Sequence, residues 1–156
     1  AAVNIMGNTC CEAESAIDFD ALYQAVRNST LNQYGKISTS ESIASSAVKT
    51  AIDVNAKAII VCSESGATAT QVAKFRPGRP ITVLTPSPTV ARQCYGVLRG
   101  CSAQVLSSQD STDDVITKTI EEFKTSGICA AGDAIVVVYG TMQMSGSTNT
   151  MRLQYA

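Results

Sequence analysis

A short polar segment, residues 63–68, contains residue types that can bind an anion. It follows the apolar run 58–62 and precedes a pattern of apolar residues with helical spacing. The N–H groups and the dipole at the start of such a helix favour a negatively charged ligand, and glycine allows close approach of the backbone. The sequence therefore predicts a phosphate or sulfate site, with the candidate residues Ser63, Glu64, Ser65, Gly66, Ala67 and Thr68.

Two features of the same segment compete with this prediction. Ser63 or Ser65 could simply cap the helix that follows, which is the commoner use of serine at this place. Glu64 puts a carboxylate among the donors, and like-charge repulsion there costs roughly 1 kcal/mol or more. Cations elsewhere in the chain would offset it only by folding towards the segment; the candidates are Arg92, Arg99, Lys118 and Arg152.

Length and composition predict a compact domain that does not bind nucleic acid or anionic membranes by charge attraction. The chain has 156 residues, of which 45% are hydrophobic and 16% are charged, so we expect one globular domain over residues 1–156. The net charge of −1, without a long basic run, argues against binding of nucleic acid or of an anionic membrane surface. The sequence has no apolar run of about 20 residues, so we expect no membrane span.

The chain lacks the residue patterns that would support catalysis. It has no histidine, which excludes a Ser-His-Asp triad and histidine metal sites. Six cysteines without C-x-x-C spacing indicate a reducing, cytoplasmic location. The paired carboxylates at 113–114 and 121–122 are adjacent on helices and therefore diverge, and nucleotide-binding glycine motifs are missing. We predict no catalytic residue, no metal site and no cofactor in this chain.

Strands and helices are predicted to alternate from residue 58 onward, which indicates a mostly parallel sheet with helices on both faces. The last strand follows a short loop and is therefore expected to be antiparallel. The predicted strands are 58–63, 81–85, 103–106, 134–139 and 148–155. The predicted helices are 9–17, 19–28 with Leu22, Ala25 and Val26 inward, 40–54, 66–76, 88–98 and 111–126, with residues 1–8 lacking a pattern and 28–38 forming a loop.

A series of motifs in this order resembles the C-terminal domain of pyruvate kinase, from about residue 10 to the end. Single motifs are weak, but several in sequence at the right distances are specific. The segments that carry the resemblance are 11–16, 42–48, 58–61 with 65–69, 75–77, 80–81, 85–86, 91–93 and the ending Gly146-Ser147-Thr148-Asn149-Thr150-Met151-Arg152.

The resemblance implies a three-layer αβα sandwich with a five-stranded mixed sheet, strands one to four parallel and the last antiparallel. It implies that the parent protein is a cytosolic homotetramer that transfers phosphate from phosphoenolpyruvate to ADP with magnesium and potassium. That chemistry lies in domains absent from this chain, and residues 1–10 are a linker or the end of the preceding barrel segment. This domain would contribute a sugar-phosphate effector site and subunit contacts, so the isolated domain could form a dimer.

By resemblance, the effector site includes a second loop, with Ser145, Gly146 and Ser147. The subunit contact involves the Ala/Ser-rich helix, with Ile43, Ser46, Ala47 and Thr50. Members that respond to fructose bisphosphate carry a basic residue in place of Glu64, often arginine in place of Ala67, and Trp, Arg, Pro and Gly where residues 141–144 are Thr-Met-Gln-Met. We therefore expect the response to fructose bisphosphate to be lost, whereas a monophosphate or sulfate could still bind.

A sugar-phosphate isomerase-type binding domain is the alternative. Such domains also use a Ser-x-Ser-Gly-x-Thr turn after a strand, as residues 63–68 have. They generally need a catalytic glutamate or histidine elsewhere, and this chain has no histidine. The ending at 148–152 favours pyruvate kinase.

Overall fold

The computed structural model describes residues 2–106, 111–140 and 148–156. Helices α1 to α3 come first, and strands and helices then alternate as the apolar pattern predicted. The elements are α1 (Ala2–Ser15), α2 (Phe19–Tyr34), α3 (Thr39–Asp53), β1 (Ala58–Cys62), α4 (Ala67–Lys74), β2 (Ile81–Thr85), α5 (Pro88–Val97), β3 (Cys101–Val105), α6 (Thr112–Thr125), β4 (Ala134–Gly140) and β5 (Thr148–Tyr155).

The five strands form one mixed sheet in the order β3-β2-β1-β4-β5. Strands β1 to β4 are parallel to one another, and β5 is antiparallel to β4. The predicted fold class is therefore confirmed. Strand β1 lies between β2 and β4, and the strand order reverses at this place in the sheet. The chain therefore leaves the carboxyl end of β1 at the point of reversal. Ligands of open α/β sheets bind in the crevice at such a point.

Two apolar clusters hold the layers together, one on each face of the sheet. Ile59 and Val61 point into the cluster that also contains Phe75 and the inner faces of α3 and α4. Ile60 points to the other side, where it meets α6 through Phe123. The alternation along β1 is that of a strand buried on both faces, and Ile59, Ile60 and Val61 are fully buried.

The first helix was not predicted from its beginning. Residues 2–8, in which we saw no pattern, belong to α1, and no residue of this helix is buried. Its apolar side chains do not lie on a face that packs against the described part of the chain, so periodicity gave no signal. Val3 is 80% exposed. The helix contacts the rest of the chain through the ion pair between Glu14 and Arg99, at 2.8 Å.

Helix α2 is longer than predicted, because its second half is polar. It continues through 29–34, which we predicted to be a loop, and ends where Gly35 takes a left-handed conformation with φ of 69°. Thr30 is buried and its hydroxyl donates to the Val26 carbonyl at 3.0 Å, so the polar side chain is satisfied inside the helix. Ala25 is exposed rather than inward, and Tyr23 takes the buried position.

Cavity formation at Phe75 should be among the most destabilising single changes. Phe75 is fully buried and its ring packs 5.8 Å from that of Tyr23. We expect Phe75→Ala to lower the free energy of unfolding by about 3–5 kcal/mol, measured by urea denaturation. Tyr34→Ala is the matched control, since Tyr34 is 65% exposed, and it should change the free energy by less than about 1 kcal/mol. Equal effects would contradict the assigned core.

Candidate functional site

The turn between β1 and α4 is built around a glycine. Gly66 is the residue that precedes α4, with φ of 78°, which favours glycine over residues with a side chain. A Cβ atom at this position would lie 3.0 Å from Cγ1 of Val90 on α5. Both the backbone conformation and the close approach of α5 therefore require glycine, which keeps the start of α4 free of a side chain at this point.

The two serines of the turn act as caps. The Gly66 N–H donates to Ser63 Oγ at 3.0 Å in a buried hydrogen bond, and the Ala67 N–H donates to Ser65 Oγ at 3.4 Å. The capping role considered from the sequence is thus present, and two backbone donors are used within the chain. Each serine oxygen accepts here, and a hydroxyl group that accepts one hydrogen bond can also donate its own hydrogen. Capping and anion binding are compatible at this turn.

The charge around the turn follows from where its side chains point. Glu64, Ser65 and Ala67 are exposed, whereas Ser63 and Thr68 are buried. Of the cations that could have offset Glu64, Arg99 pairs with Glu14 and Arg92 donates to Thr89 Oγ1 at 3.4 Å. Lys118 lines a separate cleft beside α6. These three cations are therefore engaged or placed away from the turn. Ser145, Gly146 and Ser147 lie outside the described residues.

Arg152 lies in the middle of β5, opposite Val137, on the α6 side of the sheet. Its Nη2 is 2.8 Å from Asp113 Oδ1 and its guanidinium carbon is 5.7 Å from the Tyr139 ring centroid. Among the described residues, its buried Nε has no hydrogen-bond partner. Burial raises the pKa of the nearby Cys62 thiol to about 11, although the Arg152 charge acts to lower it. Cys62 therefore remains a protonated thiol at neutral pH and lacks the thiolate that a nucleophile needs. The exposed Asp113 already compensates the arginine charge.

The residues predicted for subunit contact are not all accessible. Ser46 is exposed and Ile43 and Thr50 are half-buried, but Ala47 is fully buried in the core cluster of its own chain. Ala47 lies on the inner face of α3, next to Val48, and is covered by its own chain. Ser46 and Thr50 line a cleft of about 410 Å³ between α2 and α3, which Arg27 also lines. Ile43 does not line it and packs against the core cluster of its own chain.

The described residues contain no group of three or more His, Cys, Asp or Glu side chains that could hold a metal ion. Within the same described residues, no helix is both long and apolar enough to cross a membrane.

Loss of the buried hydrogen bond to Ser63 should lower the stability of the chain. Ser63→Ala leaves the Gly66 N–H without its partner, so we expect the free energy of unfolding to fall by about 1–3 kcal/mol. Ser65→Ala removes a longer, exposed bond of the same type and should change the free energy by less than about 1 kcal/mol. Urea denaturation of both variants measures the difference. A Ser65→Ala effect as large as that of Ser63→Ala would show that burial does not govern the turn.

Comparison with known proteins gives a consistent result. A family model described as "Pyruvate kinase, alpha/beta domain" matches residues 41–154. The pyruvate kinase of Eimeria tenella is 33% identical over 153 residues, which cover 97% of this chain and 28% of that protein. Pyruvate kinase 1 of Saccharomyces cerevisiae is 38% identical over 158 residues, covering 97% of this chain and 31% of that protein.

Solved structures agree with the sequence comparisons. A crystal structure of a pyruvate kinase from Cryptosporidium parvum superposes with a TM-score of 0.88 at 35% identity, covering 99% of this chain and 29% of that one. Another structure, of Cryptosporidium parvum pyruvate kinase in complex with ADP, gives 0.84 at 34% identity and covers 30% of that chain. The chain thus spans about three tenths of the length of these relatives. It belongs to the pyruvate kinase family, of which it forms the C-terminal α/β domain.

Proposed function

We propose that this chain is the regulatory and subunit-contact domain of an enzyme that transfers phosphate from phosphoenolpyruvate to ADP. The observation that carries the proposal is that nearly the whole chain matches proteins named pyruvate kinase, over about three tenths of the length of each. Phosphoryl transfer, with its magnesium and potassium ions, is assigned to the part of the protein outside this chain. One relative is named a cytosolic isozyme, which supports a cytoplasmic location.

Two features of the N-terminal region support the proposal that it lies at the junction with another domain of the full-length protein. The family model begins at residue 41, and α1 has no buried residue. We assign residues 1–10 to the segment that joins this domain to the rest of the protein, and residues 1–156 to one domain.

The 156-residue chain alone should have no phosphotransferase activity. Phosphoryl transfer needs metal-bound carboxylates and positioned cations around the phosphate, and the described residues hold no such carboxylate group. A coupled assay should detect phosphoenolpyruvate-dependent ATP formation by the full-length protein and none by the chain. Activity of the purified chain would contradict the assignment, and inactivity of the full-length protein would contradict the proposed parent reaction.

The turn at 63–68 is proposed as an effector site for one phosphate or sulfate group. The start of α4 and the hydroxyls of Ser63 and Ser65 supply donors, which suffice for a single anion. Fructose bisphosphate needs fixed cations to offset the desolvation of two phosphates. Glu64 is exposed at this turn and carries a negative charge instead of the positive charge that a bisphosphate needs, and Ala67 adds no charge.

A change of sign at residue 64 tests this proposal. Glu64→Lys changes the local charge by two units, so we expect sugar monophosphate and fructose bisphosphate to bind at least about tenfold more tightly than to the wild type, measured by calorimetry. Glu12→Lys, on the exposed surface of α1, makes the same change of net charge away from the turn and should have little effect. Tight binding of fructose bisphosphate by the wild type, or no gain in Glu64→Lys, would contradict the proposed site.

The cleft between α2 and α3 is proposed as a two-fold contact between subunits of a homotetramer, and of a dimer if the domain is isolated. Its rim carries small polar side chains such as Ser42 and Ser46 beside Arg27, so a second copy can approach closely. A two-fold contact places each residue near the axis twice, which doubles the effect of a bulky charge. The half-buried Ile43 lies on the same helix and packs partly against the core cluster of its own chain, so only its exposed part is proposed to join the contact.

Ser46→Arg should therefore lower the association state of the full-length protein in analytical ultracentrifugation. Two guanidinium groups would be brought together at the contact, where they repel and occupy the space of the small side chains. Thr125→Arg, exposed on α6 on the opposite face of the sheet, is the matched control and should leave the mass unchanged. An unchanged mass for Ser46→Arg would place the contact elsewhere.

A further inference from the structure

The last turn of α1 is held by an arginine from a distant part of the chain. Arg99 Nε donates to Glu14 Oε1 at 3.0 Å, and Arg99 Nη2 lies 2.8 Å from Glu14 Oε2. One guanidinium therefore binds both carboxylate oxygens, and this bidentate geometry fixes direction as well as distance. The two residues are 85 positions apart in the sequence, so the pair joins α1 to the segment between α5 and β3.

The same guanidinium also contacts an aromatic ring whose position is fixed. The guanidinium carbon lies 5.6 Å from the centroid of the Phe19 ring, which is a cation–π distance. The ring packs against the backbone of Gly78, where a Cβ atom would come within 2.5 Å of it. Phe19 is the first residue of α2 and Glu14 belongs to α1, so Arg99 contacts a residue on each side of the connection between these helices.

The backbone on either side of Arg99 is anchored in the domain. The Leu98 N–H donates to the Cys94 carbonyl at 3.2 Å, and the Gly100 carbonyl accepts from the Ile81 N–H at 2.8 Å. The base of the arginine is therefore attached to α5 on one side and to β2 on the other. A surface ion pair usually contributes little, since two mobile side chains must be ordered to form it. Here the anchored base and the ring contact already restrict the arginine.

The rest of α1 is not held by burial, because none of its residues is buried. Its connection to α2, residues 16–18, is also weakly bonded. The Ala16 N–H donates to the Ala13 carbonyl at 3.3 Å and the Ile17 N–H to the Glu14 carbonyl at 3.2 Å, both longer than the roughly 2.9–3.0 Å typical of such bonds. A rotation of α1 about this connection would break these two bonds and expose little apolar surface.

We infer that Arg99 is a positioning residue that latches α1 in one orientation, and that residues 16–18 are the hinge about which α1 swings when the latch opens. The inference rests on the proposed function, in which the start of α1 belongs to the segment that joins this domain to the rest of the protein. Arg99 then sets the angle at which this domain is attached.

Hydrogen exchange of the full-length protein, followed by mass spectrometry, measures opening of the hinge through the amides of Ala16 and Ile17. Arg99→Ala should raise their exchange rate at least about fivefold, because the open state becomes more populated. Arg99→Lys should give an intermediate rate, since it keeps the charge and loses the bidentate geometry. Arg92→Ala is the matched control: Arg92 is exposed on α5 and donates to Thr89 of its own helix, so the rate should equal that of the wild type.

A charge exchange separates the latch from a general loss of stability. Arg99→Glu places two carboxylates against each other and should raise the exchange rate of residues 16–17 at least as much as Arg99→Ala does. Adding Glu14→Arg restores the attraction with the signs reversed and should return the rate to within about threefold of the wild type. The exchange of the buried amides of β1 should be the same in all variants.

Three results would overturn the inference: unchanged exchange at 16–17 in Arg99→Ala, an equal rise in Arg92→Ala, or no rescue by the second change in the charge exchange. An equal rise at the amides of β1 would also overturn it, because Arg99 would then stabilise the whole domain rather than position α1. None of these readouts depends on phosphotransfer. Failure of the latch and failure of the proposed parent reaction are therefore distinguished, since the coupled assay tests only the second.

Discussion

The burial of β1 between β2 and β4 is the constraint on which the rest of the structure depends. Its side chains enter the two core clusters alternately, so a shift of one residue would exchange every contact of the strand. The register with both neighbours is therefore strongly specified, and with it the position at which the chain leaves the sheet after Cys62. The turn that follows begins from a fixed point, and the buried bond between Ser63 and Gly66 ties it to the start of α4.

Electrostatics decides what this turn can bind. A helix N-terminus stabilises an anion by about 0.3–1 kcal/mol at an exposed surface and by up to about 2 kcal/mol when partly buried. Removing an ionised group from water costs several kcal/mol unless a partner compensates. One partly hydrated phosphate falls within what the backbone can offset, but two do not without fixed cations. Arg152 lies on the α6 face of the sheet, and its charge is already compensated by Asp113. It therefore does not offset the charge of a second phosphate at the turn.

The strands could be predicted well because their signal is local. Continuous apolar runs such as 58–62 and 134–138 occur where a strand is covered on both faces. The extent of α1 and α2 could not be predicted in the same way. In α2, the Thr30 hydroxyl donates to the Val26 carbonyl. A polar helical segment stabilised in this way has the same residue composition as a loop, so the sequence pattern does not distinguish the two. The burial of Ala47 was not predicted, because small residues mark both close helix contacts inside a core and contacts between subunits.

The candidate site was predictable only in part. Residue types at 63–68 indicated donors, but that Ser63 caps through a buried bond and Ser65 through an exposed one depends on the path of the turn. The surroundings of the turn include a cleft between α4 and α5, lined by residues from 65–70 and 90–98. These segments are distant in sequence and meet only because α4 and α5 pack on the same face of the sheet. No local pattern contains that information. The close approach of Gly66 to Val90 is likewise a property of the fold.

The most direct measurement of the central claim is a backbone amide NMR titration of the chain with sulfate, following each N–H separately. If the start of α4 binds the anion, the largest shifts fall on the amides of residues 65–69 and saturate with one binding constant, while the amides of β1 and α6 move little. Shifts spread over basic surface residues such as Arg27 and Arg92, with no saturation at 65–69, would contradict the account.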